Sequence, residues 1–231
     1  MNRILLDSKL INNKFLINES GNYLICDLQS DSIFDINNSN ANILCMDIKN
    51  DVKIKFNLNN SNLILNSIAK NINEDVTVLL NEGSTIKVYN SLVCDFNDNK
   101  INYNVYHNAK KTESSIYNFC VTKKEGSCSI KVVSSCKKKN SKAILNQNSK
   151  IISLNETNKN KIEPILLIDD YDAVASHCCF IGKFNSNELF YLESKGLNKK
   201  EAYKLLLTGF LIGVMDISSD EKQSLKEKYL S

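Results

Sequence analysis

From about Asn22 to Ile168 the chain repeats one short pattern, and that repetition narrows the fold more than any single residue does. Apolar side chains alternate with polar ones, a polar gap follows, and the unit returns about every 10–12 residues. Val52, Ile54, Phe56 and Leu58 alternate with Lys53, Lys55 and Asn57, a period of two that puts one face in a core and the other in water. Leu63 and Leu65 follow, then Val76 to Leu80, Ile86 and Val88, Leu92 to Phe96, Ile101 to Val105, and Ser129 to Val133. The gaps are Asn, Asp, Ser and Lys, as in Asn59-Asn60-Ser61-Asn62. With only 7 glycines and 1 proline available, asparagine must do much of the turning, because its short amide tolerates the left-handed backbone.

A long series of strands without helices folds as a sandwich, a barrel or a β-solenoid. Even spacing and the absence of Asn-Gly or Asp-Gly hairpin signals favour the solenoid. Asparagines at successive turns also suit stacked coils, where amides can ladder from rung to rung. The segment from Arg3 to Ile17 is expected to supply a first strand or a cap, since a solenoid must protect its ends.

The character of the chain changes after Pro164. Ile165 to Ile168 reads as one buried strand, closed by Asp169-Asp170. Helix signals follow: Asn185 with Glu188, then Asn198 with Glu201, then Ser218 with Glu221, each a capping-box spacing. Gly196 fits a left-handed helix stop. Ala202, Leu205, Leu206, Gly209, Phe210 and Gly213 mark one face of the second helix. Its two glycines cost about 1 kcal/mol each, which predicts that another backbone approaches closely there. The expected architecture is mainly β: a β-solenoid core over residues 1–168 and a small C-terminal α-helical domain over 169–231.

Charge and motifs exclude several functions. A net charge of +3 is too small to imply nucleic acid. The one basic cluster, Lys137-Lys138-Lys139 with Lys142, lacks interleaved aromatics and reads as a solvated turn. No apolar run approaches the roughly 18 residues of a membrane span, and Met1-Asn2-Arg3 leads into too short an apolar stretch for a signal peptide. These readings predict a cytoplasmic protein whose eight cysteines are thiols. No Walker, G-x-S-x-G, H-E-x-x-H or dinucleotide-loop motif occurs, so no catalytic residue is assigned and no enzyme is expected. A polysaccharide-cleaving solenoid would show a carboxylate or basic cluster along one strand face, and none is evident.

The residues with most chemical potential are His177, Cys178 and Cys179. Imidazole and thiolate are both metal ligands, and thiolates hold iron–sulfur clusters. In an extended segment His177 and Cys179 share a face, while Cys178 points the other way. Cysteine is equally a small core hydrophobe, and that reading covers Cys26, Cys45, Cys94, Cys120, Cys128 and Cys136, since no C-x-x-C pair is present. His107 reads as a histidine satisfied by its neighbours, and Asp169, Asp170 and Asp172 as a solvated turn.

The stretch Asp172-Ala173-Val174-Ala175-Ser176-His177, with Gly182, Leu189-Phe190-Tyr191-Leu192-Glu193-Ser194-Lys195-Gly196-Leu197, Glu201-Ala202 and Leu206-Leu207-Thr208-Gly209-Phe210, resembles the C-terminal signature of the SufB/SufD family, scaffold subunits of the SUF iron–sulfur cluster assembly system. His107-Asn108-Ala109, Thr112 and Ser114 are similar to an upstream family motif, as are Gln147-Asn148 with Ile151 to Leu154. The resemblance implies a right-handed parallel β-helix followed by helices, in a compact form without the family's long N-terminal helical region. It implies pairing with itself or a second SufB/SufD-like chain, and a SufC-like ABC ATPase docked on Leu189, Phe190, Tyr191, Leu192, Gly196, Ala202, Leu206, Gly209 and Phe210. It also makes His177, Cys178 and Cys179 candidate ligands of a transiently bound iron–sulfur cluster, with His177 the position that matches the family. The family's functional cysteine falls at Gln147, which leaves a second reading open: an interaction module of the same complex with no cluster ligands of its own.

Overall fold

A computed structural model describes residues 3–6, 13–96, 98–137 and 142–230. Two parallel sheets face each other across one core. The first holds β1 (Ile4–Leu6), β3 (Gly21–Cys26), β5 (Asn40–Met46), β7 (Asn62–Lys70), β9 (Thr85–Cys94), β11 (Glu113–Thr122), β13 (Ile144–Ser153) and β15 (Val174–Gly182), in that spatial order. The second holds β2 (Lys14–Ile17), β4 (Ser32–Asn37), β6 (Lys53–Asn59), β8 (Glu74–Leu80), β10 (Asp98–His107), β12 (Ser127–Cys136) and β14 (Lys161–Ile168). The chain alternates between the sheets, so each pair of strands is one rung of a parallel β-solenoid.

The alternation read from the sequence sets the register. Ile54, Phe56 and Leu58 stack under Val76, Val78 and Leu80, which stack under Tyr103, Val105 and His107, all within the core. Phe15, Phe34 and Phe56 form a stacked column with ring centroids 4.6 and 5.1 Å apart. At the turns asparagine serves twice. Asn38, Asn60 and Asn71 take positive φ of 49°, 47° and 52°. Amides also ladder between rungs: Asn59 donates to Asn37 at 2.7 Å, Asn62 to Asn40 at 2.6 Å and Asn81 to Asn59 at 2.6 Å. The segment from Arg3 to Ile17 supplies strands β1 and β2. Its residues 7–12 lie outside the described residues, as do Lys138 and Lys139 of the basic cluster.

The helices do not stand apart from the solenoid. α1 (Ser186–Ser194), α2 (Lys199–Thr208), a π-helical turn (Gly209–Gly213) and α3 (Ser219–Tyr229) form a third layer on the outer face of the first sheet. Leu44, Ile68, Val93, Phe119, Val121 and Ile152 point outward from successive strands and pack against Leu207, Leu211, Ile212, Met215 and Leu225. Ser91 donates to the Leu211 carbonyl at 2.6 Å, and Asn66 accepts from the Asp216 N–H at 2.8 Å. Arg3 with Glu221, and Lys228 with Asp47, clip α3 to the first rungs. Asn198 and Ser218 form full capping boxes with Glu201 and Glu221, whereas Asn185 caps α1 through the Asn187 N–H instead. Gly196 closes α1 at φ +94°.

Three further features differ from expectation. Ile165 to Ile168 lie in β14 but are not buried, because β14 is an edge strand, and Leu167 is 56% exposed. No backbone approaches the glycines of the second helix: the space beside Gly209 is open, and Gly213 would meet only Thr208 of its own helix. The solenoid also continues to Gly182, so the expected division after residue 168 falls one strand before the first sheet ends. Among the described residues no helix is long and apolar enough to cross a membrane.

Candidate functional site at the last rung

β14 and β15 close the series, each with one edge paired and the other free. His177 pairs in register with Gln147 and Cys179 with Ser149, and both of those partners are buried. His177 and Cys179 therefore continue the inward columns of the solenoid, but with no rung beyond them they are exposed. Cys178 pairs with Asn148 on the outward column and is exposed as well. Partial burial, with Cys178 alongside, pushes the Cys179 thiol above its ordinary range. A groove of about 770 Å³ runs between this strand and the helical layer, with Lys150, Cys178, Cys179, Phe180, Leu206 and Phe210 among its walls.

Behind Cys179 lies a feature that sequence reading missed. Cys45, Ser67, Asn90, Asn118, Ser149 and Cys179 occupy one register position on successive strands of the first sheet. Asn118 donates to Ser149 at 3.2 Å, and Asn90 donates to Glu74 of the facing sheet at 2.7 Å. Glu74 is enclosed by the core, and burial lifts its carboxyl to about 7. The signal was available: Asn90 falls on the inward phase of Ile86, Val88 and Leu92. The sequence pattern places asparagine at the turns and their ladders, and this inward position lies on a strand.

His107 is buried, and its ring nitrogens meet the Thr112 and Ser114 hydroxyls at 2.8 Å each. These are the polar residues of the upstream motif, so that motif is one hydrogen-bonded corner. Burial depresses His107 to about 4, leaving it neutral near pH 7. Gln147 donates to Ser134 at 2.8 Å and to the Ile165 carbonyl at 3.1 Å, while its own carbonyl oxygen has no partner among the described residues. Asp170 accepts from the Asp172 N–H in an exposed turn.

The predicted docking residues divide. Phe190 and Tyr191 are 72% and 58% exposed, and no residue of α1 is buried. Leu206 and Gly209 line the groove. Ala202 is buried beneath α2, and Phe210 is held edge-on between Phe119 and Phe184, so these two support the layer from inside.

The family model for the SufBD core domain of SUF system FeS cluster assembly matches residues 34–210. The iron-sulfur cluster assembly protein SufD of Bacillus subtilis (strain 168) is 33% identical over 112 residues, which is 48% of this chain and 26% of that protein. The alignment thus spans about a quarter of the relative's length.

Proposed function

We propose that this chain, which belongs to the SufB/SufD family of the SUF iron–sulfur cluster assembly system, works there as a non-catalytic scaffold that pairs with a second scaffold and docks an ABC-type ATPase. The observation that carries this reading is the undefended edge of β15. A free sheet edge offers N–H and C=O groups to any strand, and proteins blunt such edges with Lys, Pro or bulges. β14 is blunted, by Pro164 and by the ion pair of Lys161 with Glu163. β15 has no charged residue and no proline, and its Val174, Phe180 and Ile181 stand 63%, 43% and 47% exposed. Pairing there, with a second copy or a related scaffold, encloses His177, Cys178 and Cys179 at the joint. Imidazole and thiolate can hold iron at that place, with the cluster as cargo in transit. The exposed Phe190 and Tyr191 of α1 offer the ATPase an aromatic anchor, the residue type that dominates binding energy at interfaces.

The test is oxygen-free co-expression with a SufC-like ATPase, followed by pull-down and iron and sulfide analysis. The wild-type chain is expected in a two-scaffold complex with ATPase and iron. Ile181→Lys separates the scaffolds but keeps the ATPase, and the Phe190→Ala/Tyr191→Ala variant does the reverse. A chain that neither pairs nor takes the ATPase sinks the proposal. A second reading is favoured by Gln147, a buried amide where the family's functional cysteine would stand. On that reading the chain is an interaction module without ligands, and iron content is the same in His177→Ala as in wild type.

A further inference from the structure

Three thiols meet inside the solenoid, away from the last rung. Cys94 ends β9, Cys120 lies near the end of β11, and Cys128 lies near the start of β12 in the facing sheet. Each is 1% exposed or less. Their sulfur atoms all lie within 4.8 Å of one another, and those of Cys94 and Cys120 are 3.6 Å apart. Among the described residues this is the one convergence of His, Cys, Asp or Glu side chains with ligating geometry.

The local backbone is built to hold that convergence. The turn between β11 and β12 folds back onto Cys94: the Lys123 N–H donates to the Cys94 carbonyl at 2.8 Å. Gly126 in the same turn sits so close that a Cβ would lie 2.3 Å from that carbonyl oxygen. Only glycine permits this approach, and it delivers Cys128 to the other two thiols. Cys128 also lines a cavity of about 440 Å³ that includes Asn99 and Asn160, and the Asn160 side chain accepts from the Cys128 N–H at 3.0 Å.

We propose that Cys94, Cys120 and Cys128 form a three-coordinate site for one soft, thiophilic metal ion of the Cu(I) class. Thiolates select soft ions. Structural zinc almost always takes four ligands, whereas no fourth ligating side chain joins this group among the described residues. The sulfurs are too close together to span an iron–sulfur cluster, so the site is separate from the cluster cargo and does not depend on the scaffold reading. Each thiol that binds as thiolate releases its proton to solvent, so uptake weakens as pH falls. Lys70, 2.7 Å from Asp95, and Lys123, which also feels Asp95, place two positive charges around the one carboxylate next to Cys94. The surplus positive charge offsets part of the charge of the anionic site.

The test uses the full chain and its Cys178→Ser/Cys179→Ser variant, which lacks the exposed thiols, both titrated oxygen-free with Cu(I) held by a chromophoric competitor. The variant is expected to withdraw one Cu(I) per chain and the unmodified chain at least one, and copper-edge X-ray absorption of the variant should show three sulfur neighbours and no nitrogen. Added to that variant, Cys128→Ser should weaken uptake about tenfold or more, with circular dichroism reporting whether it folds. If it does not fold, the absorption spectrum of the Cys178→Ser/Cys179→Ser protein decides alone. The proposal is overturned if that variant takes no Cu(I), if adding Cys128→Ser leaves a folded chain that binds as that variant does, or if the ion shows nitrogen or only two sulfur ligands.

Discussion

Replacing Glu74 with Gln should stabilise the protein in neutral solution and leave it unchanged in acid. Glu74 lies between the sheets, accepting from Asn90 at 2.7 Å and from the Tyr103 hydroxyl at 3.4 Å. Burial raises its carboxyl from 4.5 to about 7, more than those two hydrogen bonds lower it. The titratable groups facing it are Tyr103 and Cys45, both pushed up first by burial and then by the Glu74 charge. No cation is among the influences on it. A carboxyl raised on folding binds its proton more tightly in the folded chain, so folding stability falls as pH rises through the interval from 4.5 to about 7. The full loss above that interval is about 3 kcal/mol. Glutamine keeps the shape and can keep both neighbours, with Tyr103 turning from donor to acceptor, but carries no charge to bury. Urea denaturation at several pH values measures the difference. Wild type and Glu74→Gln should agree near pH 4 and diverge by about 3 kcal/mol at pH 8. Parallel curves at all pH values, or a variant less stable at pH 8, would refute the reasoning.

Two further outcomes test the architecture. Phe119→Ala removes a side chain wedged between the first sheet and Phe210. It should cost about 3–5 kcal/mol, and hydrogen exchange should accelerate in the helices before it does in the strands. Asn60→Ala loses the amide bond to Asn38 at 3.0 Å and forces alanine to φ 47°, a combined cost of about 2 kcal/mol. Asn60→Gly should recover most of that, as read from the thermal midpoint.

The solenoid was legible because a period of two and a regular gap are backbone facts, and the backbone obeys them wherever one face is buried. The asparagine ladder was legible for the same reason, since a turn repeated at fixed spacing must stack. Helix starts were legible from caps, although at Asn185 the reciprocal bond from Glu188 is absent. What the sequence hid depends on distance between rungs. Cys94, Cys120 and Cys128 come from three different strands, and the sequence predicts them simply as buried thiols. They are buried, but only the return of the turn at Gly126 shows that they touch. The glycines of the second helix predicted a close neighbour that this chain does not supply, because the helical layer meets the sheet through Leu207, Leu211 and Ile212 and leaves Gly209 facing the groove.

The buried polar line has a physical use apart from any chemistry. In a solenoid of purely apolar columns, a strand can slip by two residues along its neighbour and still present apolar side chains to the core, because the pattern repeats at that interval. Such a slip would move every later rung. Asn90, Asn118 and Ser149 remove the degeneracy. Shifted by two residues, their amides and hydroxyl would face Val88, Ile116 or Ile151 inside the core and lose their partners, and each unpaired buried group costs about 1–3 kcal/mol. The line therefore locks β9, β11 and β13 in register. β15 is the next strand, built directly on β13, with Cys179 over Ser149 and His177 over Gln147. The exposed end of the molecule is thus positioned by polar residues several rungs within it, and the stability spent on burying Glu74 and its amides goes to fixing where the last rung lies.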